Sequence, residues 1–238
     1  MLFKSPDNLE RYLVELVQAQ GMIGSFEHAY AARAVAHQQA CVTAFHEFSG
    51  YLDEAFAASD AVMLAHDVRI HCEAGRAHID HLVITRFLDV FLIESRIEGD
   101  QLIINEQEEF AQRYNDGTTI FVRSPVNQLR RNLIVMQHVL RSIDVPGKLG
   151  QAITPHFHRF VAIPPTTRLD NQSPIRNEYF LKPAEIVARI QSAARRGPVL
   201  SLLRALSSQQ LSDLAKIVVR WHTPDKVDFI GKYRVVPA

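Results

Sequence analysis

The stretch that decides the fold is residues 77–96, which read AHIDHLVITRFLDVFLIESR. It holds two short runs rich in Val, Ile, Leu and Phe on either side of the break 85–87, and such runs are typical of β-strands. We predict two consecutive strands that pair antiparallel through this break. Each strand carries an acid, Asp80 in the first and Glu94 at the end of the second. Burying these carboxylates costs several kcal/mol unless each is paired, hydrated or bound to a cation.

The predicted pairing brings Asp80 and Glu94 together at one end of a sheet. Residues i and i+2 of a strand share a face, so Glu94 and Arg96 project together. A shared divalent cation would offset the repulsion between the two acids. This grouping suits phosphodiester hydrolysis, in which carboxylates hold Mg²⁺ or Mn²⁺ and a cationic side chain stabilises the developing charge. The alternative is a pair of salt-bridged or solvated carboxylates without catalytic function.

The flanking sequence predicts a mixed architecture. Apolar residues recur at helical intervals over 8–58, which predicts two or three helices. Ser124-Pro125 is typical of a helix start, with the helix running to about Ile143. Further strands are predicted at 61–70, 101–106, 118–123 and 158–165, a loop to about 178, and further helices at 183–194 and 198–221.

We therefore predict an α/β (α+β) fold with a mixed sheet flanked by helices and with helical N- and C-terminal additions. The predicted division is an N-terminal helical extension (1–40), a core (41–145), and a C-terminal strand and helices packed on that core (146–238).

Composition narrows the class of protein. The chain has 238 residues, 47% hydrophobic and 22% charged, as expected for a folded protein with a sizeable core. Its 26 basic residues balance 26 acidic ones, so any nucleic-acid site must be a local patch. Two cysteines, Cys41 and Cys72, exclude a disulfide framework and a four-cysteine zinc ribbon within the chain. We expect a cytoplasmic protein, because no secretory signal and no apolar run of about 18 residues is present.

Three segments resemble the nuclease-related domain (NERD) family, a branch of the PD-(D/E)XK nuclease superfamily. They are IDHLVI (79–84), LDVFLIES (88–95) and SPVNQ (124–128), and they occur in the family's order and at its spacing. The resemblance covers about 45–143. It implies a PD-(D/E)XK nuclease-like core and divalent-metal-dependent processing of DNA.

The resemblance also implies roles for single residues. Asp80 matches the acid of the family's IDH motif, and Glu94-Ser95-Arg96 matches its ExK motif, which makes Asp80 and Glu94 metal ligands. Gln128 matches the family's glutamine, which orients substrate or water. Arg96 stands where the family usually has lysine, and arginine is bulkier and forks toward carboxylates and phosphates. The family's helical Gly-Glu pair is absent, and Glu47 is a nearby substitute.

Two hypotheses about function follow. In the first, the chain is a metal-dependent nuclease whose Arg130 and Arg131 hold the phosphate backbone of DNA. In the second, it is a catalytically inactive relative that binds DNA or a protein partner, and Arg96 neutralises the two acids. A solvated helix face is the alternative interpretation of Arg130 and Arg131.

Overall fold

Two β-sheets and four helices form the part of the chain described by the computed structural model, residues 1–7, 14, 17–18, 25–143, 153–195 and 205–224. The helices are α1 (Ser25–Phe56), α2 (Pro125–Arg141), α3 (Pro183–Ala194) and α4 (Ser208–Arg220). The strands are β1 (Leu2–Lys4), β2 (Val62–Cys72), β3 (Gly75–Thr85), β4 (Asp89–Glu94), β5 (Gln101–Ile104), β6 (Phe110–Arg113), β7 (Thr119–Val122), β8 (His156–Ala162), β9 (Arg168–Asn171) and β10 (Phe180–Leu181).

The larger sheet has six strands in the order β1-β2-β3-β4-β8-β10. β2, β3 and β4 form an antiparallel meander, whereas β8 lies parallel to β4 and β10 parallel to β8. The predicted antiparallel pair is confirmed, with His81 opposite Ile93 and Ile84 opposite Val90. The predicted fold class, a mixed sheet flanked by helices, is also confirmed. The division of the chain at 40 and 145 stays a prediction.

The large sheet has apolar side chains on both faces, which explains why its strands read as nearly continuous hydrophobic runs. On one face, Leu82, Ile84 and Leu92 pack with Val135 and Met136 of α2. On the other face, Val62, Leu64, Val83, Phe91 and Ile93 pack with residues of α1 and α3. α1 supplies Phe48, Leu52 and Phe56 to that second cluster, at the spacing of three to four residues that places side chains on one helix face. The meander is therefore packed between α2 on one face and α1 and α3 on the other.

The hairpin of β2 and β3 has an irregularity at Asp67. Its φ is 53°, in the left-handed region that non-glycine residues seldom adopt and that Asp tolerates better than most. Met63 and Ala65 before it and Val68 and Ile70 after it all pack in the same core cluster. Strict alternation would turn the second pair to the opposite face. The unusual torsion at Asp67 thus resets which side chains of β2 enter this cluster.

The smaller sheet has the order β7-β6-β5-β9, and sequence patterns predicted only half of it. β5 and β7 lie in the predicted runs. β6 was not predicted, because the acidic residues before it hide a tight turn in which Asn105 Oδ1 accepts hydrogen bonds from the backbone N–H groups of Gln107 and Glu109. The predicted loop before residue 178 contains β9, which pairs parallel to β5 through backbone bonds that polar composition does not reveal.

The helix boundaries differ from prediction in three places. Two or three helices were predicted over 8–58; Ser25–Phe56 is one helix, and most of residues 8–24 lie outside the described part. α2 begins as predicted, with Ser124 Oγ accepting from Asn127 N, and ends at Arg141. The prediction of a helix over 198–221 is wrong at 205–207, because Ser207 and Gln210 form a capping box that starts α4 at Ser208. Residues 196–204 lie outside the described part. Among the described helices, none is long and apolar enough to span a bilayer.

Candidate active site

Asp80 and Arg96 form a buried ion pair at the end of the β3–β4 hairpin. Asp80 Oδ1 accepts from Arg96 Nε at 2.8 Å, and Oδ2 accepts from the backbone N–H of Ser95 at 3.0 Å. Burial alone would raise the pKa of Asp80, but the guanidinium of Arg96 and the ring of His78 hold that pKa below its usual value. Burial would likewise lower the pKa of Arg96, whereas Asp80 raises it. Both groups are therefore charged at neutral pH.

Glu94 has a different environment from Asp80, although both carboxylates are buried. Its Oε2 accepts from Gln128 Nε2 at 2.8 Å, and its Oε1 accepts from Asn132 Nδ2 at 2.9 Å. Gln128 and Asn132 are one turn apart on α2, so they reach the carboxylate from the same helix face. Burial and the nearby charge of Asp80 raise the pKa of Glu94 well above its usual value. Within the described residues, both hydrogen-bond donors to Glu94 are neutral amides.

A cavity of about 830 Å³ opens above these groups. Glu94, Arg96 and Gln128 line it, whereas Asp80 lies beneath, with no exposed surface. Its other walls come from α1, from β6 and β7, and from the start of α2, through His37, Gln38, Cys41, Ile97, Gln112, Thr118, Thr119, Ile120, Phe121, Val122, Arg123 and Pro125. An anionic substrate entering here would meet the guanidinium of Arg96 and the carboxylate of Glu94 together.

Asp67 adds a third buried acid, which the sequence analysis missed. Its Oδ1 accepts from His78 Nε2 at 2.8 Å and lies 3.0 Å from Arg69 Nη2. Burial would raise the pKa of Asp67, but His78 and Arg69 lower it. His78 also lies 3.9 Å from Asp80 Oδ1 and 3.3 Å from Arg96 Nη2, so it connects the two acids. The available signal was an aspartate inside an apolar run, the same signal that identified Asp80.

On the other side of the same strands lies a chain of hydrogen bonds through two buried histidines. His81 Nε2 is 2.6 Å from Ser95 Oγ, the two Nδ1 atoms of His81 and His66 are 2.8 Å apart, and His66 Nε2 is 3.1 Å from Asp53 Oδ1. A carboxylate only accepts, so His66 donates to Asp53, His81 donates to His66, and Ser95 donates to His81. Burial lowers the pKa of both rings. We call the series Asp53–His66–His81–Ser95, in which both rings are neutral, the histidine chain.

The remaining predicted site residues lie elsewhere. Glu47 is exposed on α1 and lines a second groove with Ser95 and Lys182. Arg130 and Arg131 are exposed on α2 and are not among the residues that line the cavity, and Arg130 Nη1 donates to Asn127 Oδ1. Asn132, which binds Glu94, was not predicted. Its position four residues after Gln128 was the signal that could have identified it.

Two groups of side chains in the described structure could hold a metal ion. Asp80 and Glu94 offer oxygen atoms, the donors that hard divalent cations prefer. His37, Cys41 and Glu98 offer nitrogen, sulfur and oxygen atoms that all lie within 4.8 Å of one another. The two groups differ in the chemistry of their donors and therefore in the ions that suit them.

Comparison with known proteins identifies the family of this chain. The family model described as nuclease-related domain (NERD) matches residues 46–164, which is half of the chain and includes β2–β8 and α2. No curated protein and no solved structure matches the chain. The chain belongs to the nuclease-related domain family.

Proposed function

We propose that this protein is a divalent-metal-dependent nuclease that hydrolyses phosphodiester bonds in DNA, with Asp80 and Glu94 as ligands of Mg²⁺ or Mn²⁺. The observation that carries the proposal is the state of Glu94. Its carboxylate is buried, lines the cavity and accepts hydrogen bonds from two neutral amides, and its pKa is raised. A buried carboxylate of this kind requires either a proton or a nearby cation.

The donor set fits a hard divalent cation. Each carboxylate oxygen of Asp80 and Glu94 accepts one hydrogen bond from the described residues, and an ionised carboxylate oxygen has about two acceptor sites. One acceptor site on each oxygen is therefore not used by these hydrogen bonds, and Glu94 lines the cavity, whereas Asp80 has no exposed surface. When bound, the metal would polarise the phosphate and lower the pKa of a water molecule.

The chain's own residues hold this arrangement. Gln128 Nε2 donates both to Glu94 and to the backbone carbonyl of His78, so it fixes the carboxylate relative to β3. Arg96 lines the cavity and donates its Nε–H to Asp80, which leaves the four N–H groups on Nη1 and Nη2 as the donors for a bound phosphate. Glu47 has no role in this proposal, because it lines the other groove.

Contacts to the phosphate backbone would come from α2 and the strand before it. Arg123 lines the cavity, and Arg130 and Arg131 are exposed on the helix whose first turns border it. These three exposed basic side chains fall within nine residues of a chain with no net charge, which supports recognition of phosphates rather than of base edges.

A second candidate function is supported by the Asp80–Arg96 ion pair. A catalytically inactive relative that binds DNA or a protein partner would keep Arg96 as the permanent counter-ion of Asp80 and would hold Glu94 protonated. In that case the buried pair replaces the metal, and the cavity serves only for binding.

Cleavage assays separate the two functions. Supercoiled plasmid and single-stranded DNA are incubated with Mg²⁺ or Mn²⁺ and the wild-type protein, Glu94→Ala or Arg96→Lys, with Glu178→Ala at an exposed position as the control. A nuclease cuts in the wild type and the control, and cutting falls at least about 100-fold in Glu94→Ala. Silence of the wild type and of Arg96→Lys, together with retained DNA binding, would establish the inactive relative instead. Cutting by Arg96→Lys alone would show a nuclease site disabled by arginine.

A further inference from the structure

His37, Cys41 and Glu98 form a cluster beside the proposed active site but use different donor chemistry. His37 and Cys41 are four residues apart on α1 and so lie on one helix face. Glu98 follows β4 and faces them, and its Oε1 forms hydrogen bonds with His37 Nδ1 and with the hydroxyl of Tyr114. One carboxylate oxygen, the thiol sulfur and one ring nitrogen all lie within 4.8 Å of one another.

Glu98 has a buried oxygen that nothing described in the protein satisfies. Its side chain is 5% exposed, and among the described residues its Oε2 has no hydrogen-bond partner. A buried carboxylate oxygen without a donor is unfavourable, and each such atom in a native structure needs an explanation such as an ion. This atom is a second observation, independent of the clustering, that points to a missing cation.

The distances between the donors suit a tetrahedral ion. Metal–sulfur bonds of about 2.3 Å and metal–nitrogen bonds of about 2.0 Å at a tetrahedral angle separate the two donors by about 3.6 Å. Cys41 Sγ lies 3.7 Å from His37 Nε2 and 4.0 Å from His37 Nδ1. A cation entering between the ring and Glu98 would replace the proton that those two groups share, and the two side chains would move apart to admit it.

The backbone that carries Glu98 is already fixed. The side-chain oxygen of Gln112, a buried residue, accepts hydrogen bonds from the backbone N–H groups of both Glu98 and Gly99 at 2.9 Å. Gly99 packs closely against Gln112, because a Cβ atom at Gly99 would lie 3.0 Å from the Cβ of Gln112. Such support is the feature that distinguishes a built ligand site from a chance group of side chains.

We propose that His37, Cys41 and Glu98 bind a transition-metal ion of the Zn²⁺ class at a site separate from Asp80 and Glu94. Thiolate and imidazole donors favour Zn²⁺ over Mg²⁺. Three protein ligands leave a fourth position, and His37 and Cys41 line the same cavity as Glu94 and Arg96, so that position faces the cavity. The ion would also tie α1 to the segment that carries Arg96, whose carbonyl already lies 3.5 Å from Cys41 Sγ.

The test measures metal content and spectra on the full chain. After treatment with a chelator, the protein is incubated with Zn²⁺, desalted and assayed for bound zinc, and a second sample is titrated with Co²⁺. We expect one zinc per chain and, with Co²⁺, a thiolate-to-cobalt charge-transfer band together with the strong visible bands of tetrahedral cobalt. Cys41→Ala should abolish the charge-transfer band, and His37→Ala should weaken zinc binding at least about tenfold.

Matched controls keep the result specific. Cys72 is the other cysteine, partly buried on β2, and Cys72→Ala should leave zinc content and the cobalt spectrum unchanged. Glu94→Ala should also retain zinc, which separates this site from the proposed nuclease centre. Substoichiometric zinc in the wild type, or a charge-transfer band that survives Cys41→Ala, would overturn the proposal. The nuclease assay with Mg²⁺ or Mn²⁺ gives its own answer whichever result is obtained.

Discussion

Two buried polar networks lie on opposite sides of strands β3 and β4, and they differ in how they handle charge. Asp80 and Arg96 are ionised, and the guanidinium compensates the carboxylate. Along the histidine chain, burial lowers the pKa of His66 and His81 and the rings stay neutral. The ion pair lies on the side that opens to the cavity. The neutral rings lie on the other side, where His81 stacks on Phe45 of α1.

The largest effect on this difference is expected from Arg96→Met, which removes the cation but keeps an unbranched side chain that reaches as far as the Nε atom of arginine. Asp80 would be left buried without a counter-ion, and breaking a buried pair in this way costs about 3–5 kcal/mol. We expect that loss in the free energy of unfolding measured with urea at neutral pH. Arg113→Met, at an exposed position, is the control and should change it by less than about 0.5 kcal/mol. If both variants behave alike, the ion pair does not stabilise the fold.

The variant Asn132→Ala tests whether a neutral amide on the same side of the strands as Asp80 also contributes strongly to stability. Its amide accepts from His78 N and donates to the carbonyl of His78 and to Glu94, so Asn132→Ala leaves several buried groups unsatisfied. We expect a loss of about 2–3 kcal/mol in urea unfolding. Gln128→Ala, at the less buried position on the same helix face, should cost about 1 kcal/mol. The reverse order would mean that Gln128 is the main support of Glu94.

The histidine chain predicts a loss of stability in mild acid. The pKa values of His66 and His81 are lowered on folding, so below about pH 6.5 the unfolded chain binds protons that the folded chain does not. Their contribution is complete above that pH and falls by up to about 1.4 kcal/mol per pH unit for each ring below it. Glu94 acts in the opposite sense, because its raised pKa gives a contribution that is lost as the pH rises.

The measurement is urea unfolding of wild type and His66→Gln at several pH values between about 5 and 7. The variant lacks one of the two titrating rings but keeps Glu94, so its stability should fall less steeply toward acid pH. Equal slopes in the two proteins would show that His66 does not remain neutral in the folded state.

The smallest expected effect on stability comes from charges outside both networks. Arg130→Gln with Arg131→Gln should change the free energy of unfolding by less than about 0.5 kcal/mol, because both side chains are exposed. If they contact phosphates, the dependence of DNA affinity on salt should fall by roughly two contacts. An unchanged dependence would assign the two arginines to a solvated helix face.

Sequence patterns predicted the parts of the fold that depend on local rules. The two strands around residues 85–87 and the helix start at Ser124 needed only apolar periodicity and capping, and both are confirmed. β9 could not be predicted in this way, because it is held by pairing with a strand more than 60 residues earlier. Such pairing leaves no periodic signal in the strand itself.

The residues of the candidate site also fall into a group that the sequence predicted and a group that it did not. The strand pattern brought Asp80, Glu94 and Arg96 to attention because a charge in an apolar run is locally unusual. The side chains that complete their environment were not visible, since Asn132 looks like an ordinary helix residue and His37 is more than 50 residues from Glu98. Their importance comes from where the backbone places them, and neither burial nor partner can be read from residue type alone.

The left-handed torsion of Asp67 determines which side chains in the second half of β2 face the core. It changes the phase of β2 without adding a residue, so a copy of this hairpin built with ideal strand torsions would turn Val68 and Ile70 away from the cluster that holds Met63. Few residue types tolerate this torsion. Asp67 adopts it here and also supplies a buried carboxylate beside Asp80. A substitution at Asp67 would therefore change both the shape of the hairpin and the electrostatics of the site.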